Sequence, residues 1–342
     1  MRDTTDRLSG AEGEPKRRSL PGDLFIRLVR EKPMGTVGAV IVLLLLFTGI
    51  FADLSWIGMP ELGLAPHHYN EIHMEDRLAP PSAEYPLGAD NVGRDLLSRV
   101  IYGARISMII GLSATALSTV VSVIIGLSSG FIGGKTDMVA QRFIDAWLCF
   151  PGLVIYLLFM SIIGGGMLQV ILVLGIGGGI GASRGSRALA FWIKESEYVE
   201  ASKAIGCPTW RIILRHLLPN VLPLIIIGFS LGIGGVILAE ATLSFLGFGI
   251  PPPYPSWGGM LSAAGRRYMY QAPWLALWPG IALTLVVYGV NMFGDALRDL
   301  IDPRLRGGIG GVGGYGMEQA RKALRKRQTR AGKTELDNRR TN

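Results

Sequence analysis

Stretches of apolar residues long enough to cross a bilayer constrain this chain more than any other feature, and six are expected: about 34–53, 105–130, 139–162, 167–187, 220–246 and 275–297. A hydrocarbon core of about 30 Å takes roughly 20 residues of helix. Buried in lipid, every backbone amide needs an internal partner, which a helix supplies within its own segment. Apolar residues make up 49% of the 342 and charged residues only 18%. They gather in runs rather than recurring with the period of a half-buried helix or strand, so the expected fold class is an all-α integral membrane protein with six transmembrane helices. In the fourth run, Gly175, Gly177, Gly178, Gly179 and Gly181 lower helix propensity, and Arg184 and Arg187 are expected to close it early.

Basic residues in the short flanks set the orientation. Lys16, Arg17, Arg18, Arg27, Arg30 and Lys32 precede the first run, Lys135 and Arg142 border the turn between the second and third, and Arg184, Arg187, Lys194, Lys203, Arg211 and Arg215 crowd the segment between the fourth and fifth. Arg298, Arg304 and Arg306 follow the sixth. All fall on one side if both termini are cytoplasmic. The loop after the first run then lies outside, and it is richer in acid, with Glu61, Glu71, Glu75, Asp76, Glu84, Asp90 and Asp95 against Arg77, Arg94 and Arg99.

The expected organisation is a tail at 1–33, a first helix at 34–53, an extracytoplasmic loop at 54–103, a five-helix unit at 104–306 and a glycine linker with a basic tail at 307–342. No cleavable signal peptide is expected before residue 34, so the first helix should remain as an anchor. Much of the net charge of +8 sits in the last segment. Without interleaved aromatic residues it suits anionic lipid headgroups rather than nucleic acid. Cys149 and Cys207 are placed where neither a disulfide nor a metal site is expected.

Does the chain carry its own energy source? Ser129-Gly130-Phe131-Ile132-Gly133-Gly134-Lys135-Thr136 ends like a phosphate loop but has Ser129 where the first glycine belongs, and it follows a membrane span instead of a soluble strand. It reads as a turn between the second and third helices. His-Glu-x-x-His and Gly-x-Ser-x-Gly motifs are absent, and His67, His68 and His73 share a polar outer loop. Catalysis by this chain is not expected.

Between the fourth and fifth runs lies a polar stretch too short to span. Residues 194–205 favour helix, with Tyr198, Ala201 or Ser202, and Ile205 on one weakly apolar face opposite Lys194, Glu197, Glu200 and Lys203. So short a helix is marginal alone and needs a partner surface. Gly206 supplies a left-handed stop and Pro208 prevents continuation. A second helix over 209–218 is expected to place Trp210, Ile213, Leu214 and Leu217 on one side. The product is a crossbar tied at both ends to membrane helices, suited to a groove of another protein.

At these residues the chain resembles the permease subunits of binding-protein-dependent ABC importers. Their shared loop reads Glu-Ala-Ala, three residues, Gly, nine residues, Ile-x-Leu-Pro; here it is Glu200-Ala201-Ser202, Gly206 and His216-Leu217-Leu218-Pro219. The third position and the Ile differ. Arg215-His216-Leu217-Leu218-Pro219-Asn220, Pro86–Asp95, Tyr102–Ser107, Leu238–Gly247, Pro255–Gly258 and Gly294–Asp299 are similar to the dipeptide, oligopeptide and nickel branch.

This resemblance covers about residues 25–306 and implies a type I importer permease fold with a cytoplasmic coupling helix in the loop at 194–219. It implies a second, homologous permease, two ATPase subunits or domains that hold ATP and Mg, an extracytoplasmic binding protein that delivers the solute, and a prokaryotic cell membrane. No cofactor is expected on this chain. Short peptides are the expected cargo, with nickel or another small solute as the alternative. An independent channel or secondary transporter would need its own ion site at mid-membrane. Tyr198, Glu200, Ala201, Ser202, Ala204, Ile205 and Gly206 are the expected ATPase-coupling residues. Among polar groups inside the membrane runs, Asp145, Glu240 and Asn291 are pathway candidates, with ion pairing or a helix–helix hydrogen bond as the competing role. Gly126-x-x-x-Gly130 and Gly228-x-x-x-Gly232 are read as packing motifs.

Overall fold

A computed structural model describes residues 28–53 and 63–301. Residues 1–27 of the expected tail at 1–33, residues 54–62 of the expected loop at 54–103, and the whole of the expected glycine linker and basic tail at 307–342 lie outside the described residues.

The elements are α1 (Pro33–Phe51), α2 (Leu96–Ile132), α3 (Gly134–Leu148), α4 (Gly152–Ile163), α5 (Met167–Lys194), α6 (Glu197–Ala204), α7 (Thr209–Ile212), α8 (Leu218–Phe245), α9 (Trp257–Met260), α10 (Arg266–Tyr268) and α11 (Trp274–Ile301). Wider five-residue turns of helix link α7 to α8 at Ile213–Leu217 and α9 to α10 at Leu261–Gly265. Among the described residues, five helices are long and apolar enough to cross a membrane: α1, α2, α5, α7 continuing through α8, and α11.

The third expected span is broken in the middle. Residues 139–162 do not form one rod, because α3 and α4 meet at a bend of 86° and count as a sixth span only if taken together. Cys149-Phe150-Pro151-Gly152 accounts for the break. Proline has no amide hydrogen for the helix ladder and disfavours helical backbone in the residue before it. Pro151 adopts φ −57° and ψ 128°, which starts α4 afresh.

The fourth span, by contrast, is more helical than its glycines predict. It runs to Lys194, past Arg184 and Arg187. These glycines let α5 lie against α2: a Cβ on Gly179 would sit 2.7 Å from the Ser118 carbonyl oxygen, and one on Gly126 would sit 2.4 Å from that of Ser183. Close packing thereby offsets a propensity cost of about 1 kcal/mol per glycine. Charges at 184 and 187 are tolerated because each has a carboxylate partner on α3.

Before α2, the described part of the loop is built from turns and pinned to the membrane unit. Asp95 caps α2, accepting hydrogen bonds from the amides of Leu97 and Ser98 at 3.2 and 2.9 Å. Buried Asp90 accepts from Arg94 Nε at 2.7 Å, and Arg99 donates to the Tyr69 carbonyl at 2.9 Å. Trp257 Nε1 donates to the Val100 carbonyl at 3.0 Å, fixing α9 against α2.

Candidate functional site

The crossbar forms as two short helices with a defined corner. Lys194 belongs to α5, and α6 starts only at Glu197, so the expected helix over 194–205 is shorter at its N-terminus. Glu197 and Glu200 in its first turn and Lys203 in its last complement the helix dipole. At the C-terminus the Gly206 amide donates to the Lys203 carbonyl at 2.9 Å, and the Cys207 amide to that of Ser202 at 3.1 Å. That bond pair is the Schellman closure, and it requires the left-handed backbone seen at Gly206, φ +77°.

The two faces of the crossbar differ. Val199 of α6, Ile212 and Leu217 are buried together with Leu127 and Phe131 at the end of α2, Ala190 and Ile193 at the end of α5, and Val221 of α8. Lys203 Nζ lies 5.3 Å from the centre of the Phe131 ring. Away from this anchored side, Tyr198, Ile205 (84% exposed), Trp210 (65% exposed) and Leu214 are exposed.

Two sequence expectations change here. Ser202 does not share the exposed face with Tyr198 and Ile205; it is buried, and its hydroxyl donates to the Tyr198 carbonyl at 2.7 Å. Nor do Trp210, Ile213, Leu214 and Leu217 form one side: Leu217 is buried whereas Trp210 and Leu214 are exposed. The wide turn at Ile213–Leu217 inserts an extra residue into the helical register and rotates Leu217 inward. Glu200, Ala201 and Ala204 are exposed as well.

The intramembrane candidates do not converge. Asp145 of α3 is half-exposed and pairs with Arg184 of α5, with Arg142 4.0 Å away. Asn291 of α11 donates to the Val287 carbonyl at 2.8 Å and packs on α8 at Gly234. Glu240 is 1% exposed; its Oε1 accepts from the Ser244 hydroxyl at 2.7 Å and its Oε2 has no hydrogen-bond partner among the described residues. A carboxyl so enclosed makes a poor wall for a pathway.

Sequence reasoning passed over Asp137, which Arg187 holds through two bonds of 2.6 Å each. Its partner is 50 residues away, beyond the reach of local pattern. Also missed was Tyr85, buried in the loop before α2, whose hydroxyl donates to Asp76 at 2.9 Å; burial first, then the adjacent Asp76 carboxylate, pushes its pKa up to about 12.

Comparison with known proteins adds a family. The model of the binding-protein-dependent transport system inner membrane component matches residues 122–307, a stretch that contains the crossbar. Relatives include the dipeptide transport system permease protein DppC of Alkalihalophilus pseudofirmus, 36% identical over 284 residues, which are 83% of this chain and 90% of the relative. The oligopeptide transport system permease protein OppC of Bacillus subtilis is 34% identical over 288 residues, 84% of this chain and 91% of its own. DppC of Bacillus subtilis is 36% identical over 264 residues, 77% and 82% of the two chains. With bilayer-length helices and a match over more than half its length, this multi-pass membrane chain belongs to the family of inner membrane permease components of binding-protein-dependent transport systems.

Proposed function

We propose that this chain is a non-catalytic permease subunit of an ATP-driven importer that passes short peptides inward. The similarity to permeases named for dipeptides and oligopeptides, across more than three quarters of the chain, is what carries the cargo. A partner would bring ATP and Mg. The phosphate-loop-like run at 129–136 supports this reading, because it is spent on the end of α2 and a tight glycine turn into α3.

The outward face of the crossbar supports ATPase docking. Tyr198, Ile205, Trp210 and Leu214 offer exposed apolar surface on a frame anchored to α2, α5 and α8. A groove on an ATPase subunit that grips this face would move all three helices together. The basic flanks support a cytoplasmic crossbar with both termini inside. A second homologous permease completes the pathway, and an extracytoplasmic binding protein delivers peptide to the acid-rich outer loop.

Reconstitution tests the proposal. Vesicles holding this chain, its companion permease and their ATPases should accumulate alanyl-alanine only with binding protein outside and ATP inside. Uptake by this chain alone would overturn the assembly reading, and a loaded complex that moved nickel but no peptide would overturn the cargo.

A further inference from the structure

Within the membrane-spanning part, α2, α5 and α8 do not close completely. With α11 they border an open-sided cavity of about 440 Å³ whose lining includes Thr115, Ser118, Thr119 and Ser122 of α2 together with Ser186 of α5. Spacing of three and four residues puts the α2 hydroxyls in one row along the helix. Most of the remaining wall is aliphatic, as in Leu189, Leu224 and Ile227, and Arg298 of α11 adds a charged group. Apolar walls with a few placed polar groups, at a volume of some 300–1,000 Å³, are the usual make-up of a small-molecule site.

The hydroxyl row is not used up by the protein. Ser122 and Ser186 bond each other at 2.7 Å. Thr115, however, is only 3% exposed and its Oγ1 has no partner among the described residues. A buried hydroxyl left unpaired in hydrocarbon costs on the order of 1–3 kcal/mol, which a bound donor or acceptor would recover. The opposite wall has room: a Cβ added at Gly185 or Gly228 meets nothing within 4 Å. Gly228-x-x-x-Gly232 is thus only half a packing motif, since the Gly232 end alone touches α2, where a Cβ would sit 3.0 Å from Thr115 Cγ2.

We infer that this cavity is a peptide subsite in which the α2 hydroxyls bond the main-chain amides of the cargo and the aliphatic walls receive its side chains. The inference rests on the peptide reading above. Neutral hydroxyls both donate and accept, so they can serve an amide group whatever side chains flank it. The cavity, rather than Asp145, Glu240 or Asn291, supplies the polar wall of the pathway in this subunit; none of these three residues lines it.

The test uses the complete importer in vesicles, with Cys149→Ser and Cys207→Ser as background. Gly228→Cys should react with a charged, water-soluble thiosulfonate, and alanyl-alanine with binding protein and ATP should slow that reaction at least threefold. Thr115→Val and Gly228→Leu should each lower alanyl-alanine uptake at least fivefold while the complex assembles and ATP hydrolysis still responds to binding protein. Should Thr115→Val fail to assemble, the Gly228→Cys labelling decides. Reaction of Gly228→Cys with a lipid-soluble maleimide alone would mean that an acyl chain fills the cavity and would overturn the inference, as would unchanged uptake in both variants. If the unmodified complex takes up no alanyl-alanine, the peptide reading fails and this inference with it; normal uptake with an unprotected Gly228→Cys rejects the subsite alone.

Discussion

Arg187 of α5 grips Asp137 of α3 through two parallel bonds, Nε to Oδ1 and Nη2 to Oδ2, both 2.6 Å. One turn away along α5, Arg184 pairs with Asp145, so two ion pairs stitch the same two helices. They hold α3 in place just before the 86° bend that separates it from α4. Phe143, Phe150 and Val139 near that bend are exposed, while Ile144 is buried and Trp147 and Leu148 lie near Gly177 and Gly181 of α5, so the charge pairs act together with apolar packing.

Removing one partner of that pair should hurt more than removing both. Arg187→Gln leaves Asp137 buried without its bidentate donor, a loss of about 1.5–3 kcal/mol for hydrogen bonds to a charged group, reduced by the part-exposure of Arg187. Arg187→Gln combined with Asp137→Asn should recover much of that loss. Thermal unfolding of the two single variants and the double variant in detergent measures the coupling; simple additivity would exclude a direct bond.

Gly206→Val should leave insertion intact and separate ATP hydrolysis from uptake. Space is not the obstacle, since a Cβ at Gly206 meets nothing within 4 Å. The obstacle is φ +77°, which costs an ordinary residue about 1–2 kcal/mol and a β-branched one more. Gly206→Ala, without the branch, should be milder. The ratio of peptide imported to ATP hydrolysed is the readout, and a normal ratio in the Val variant would remove the coupling role from this corner.

In the outer loop, Gly93→Ala should loosen the fold without touching the membrane helices. Gly93 has φ +79°, and a Cβ there would sit 1.7 Å from the backbone oxygen of His73. Neither atom can yield cheaply, so the loop must shift. Limited proteolysis from outside intact vesicles should cut this variant many times faster than the parent, while digestion from inside is unchanged.

Tyr85 gives the outer loop a dependence on alkaline pH. With its folded pKa at about 12 against an ordinary 10.0, the folded loop keeps a proton that the unfolded chain releases. The associated stability is complete below about pH 10 and declines as pH rises towards 12. Tyr85→Phe should flatten protease resistance across that interval; an unaltered profile would assign the alkaline loss to another group.

Much of this molecule is legible in its sequence, and the illegible parts share a cause. Membrane helices announce themselves because lipid demands long apolar runs. The corner at Gly206-Cys207-Pro208 is equally plain, because backbone handedness and a missing amide are properties of single residues. Relations between distant residues are what stay hidden. Glycines 175–181 look like a weak helix until Ser118 and Val121 are seen lying against Gly179. Arg187 looks like the end of a span until Asp137 is found opposite it. The phase of Trp210 and Leu217 is set by one wide helical turn at Ile213–Leu217, which has no clear signature in side-chain period. Phe150-Pro151-Gly152 did carry a signal, and the bend there follows from proline chemistry alone.

The length of α2 has a mechanical consequence. Its 37 residues rise about 55 Å, well beyond a hydrocarbon core of about 30 Å. One end is capped by Asp95 among the turns of the outer loop, and the other places Phe131 against Val199 and Lys203 of the crossbar. A continuous rod therefore joins a loop on one side of the bilayer to the crossbar on the other, and a tilt at one tip displaces the opposite end with no relay between them.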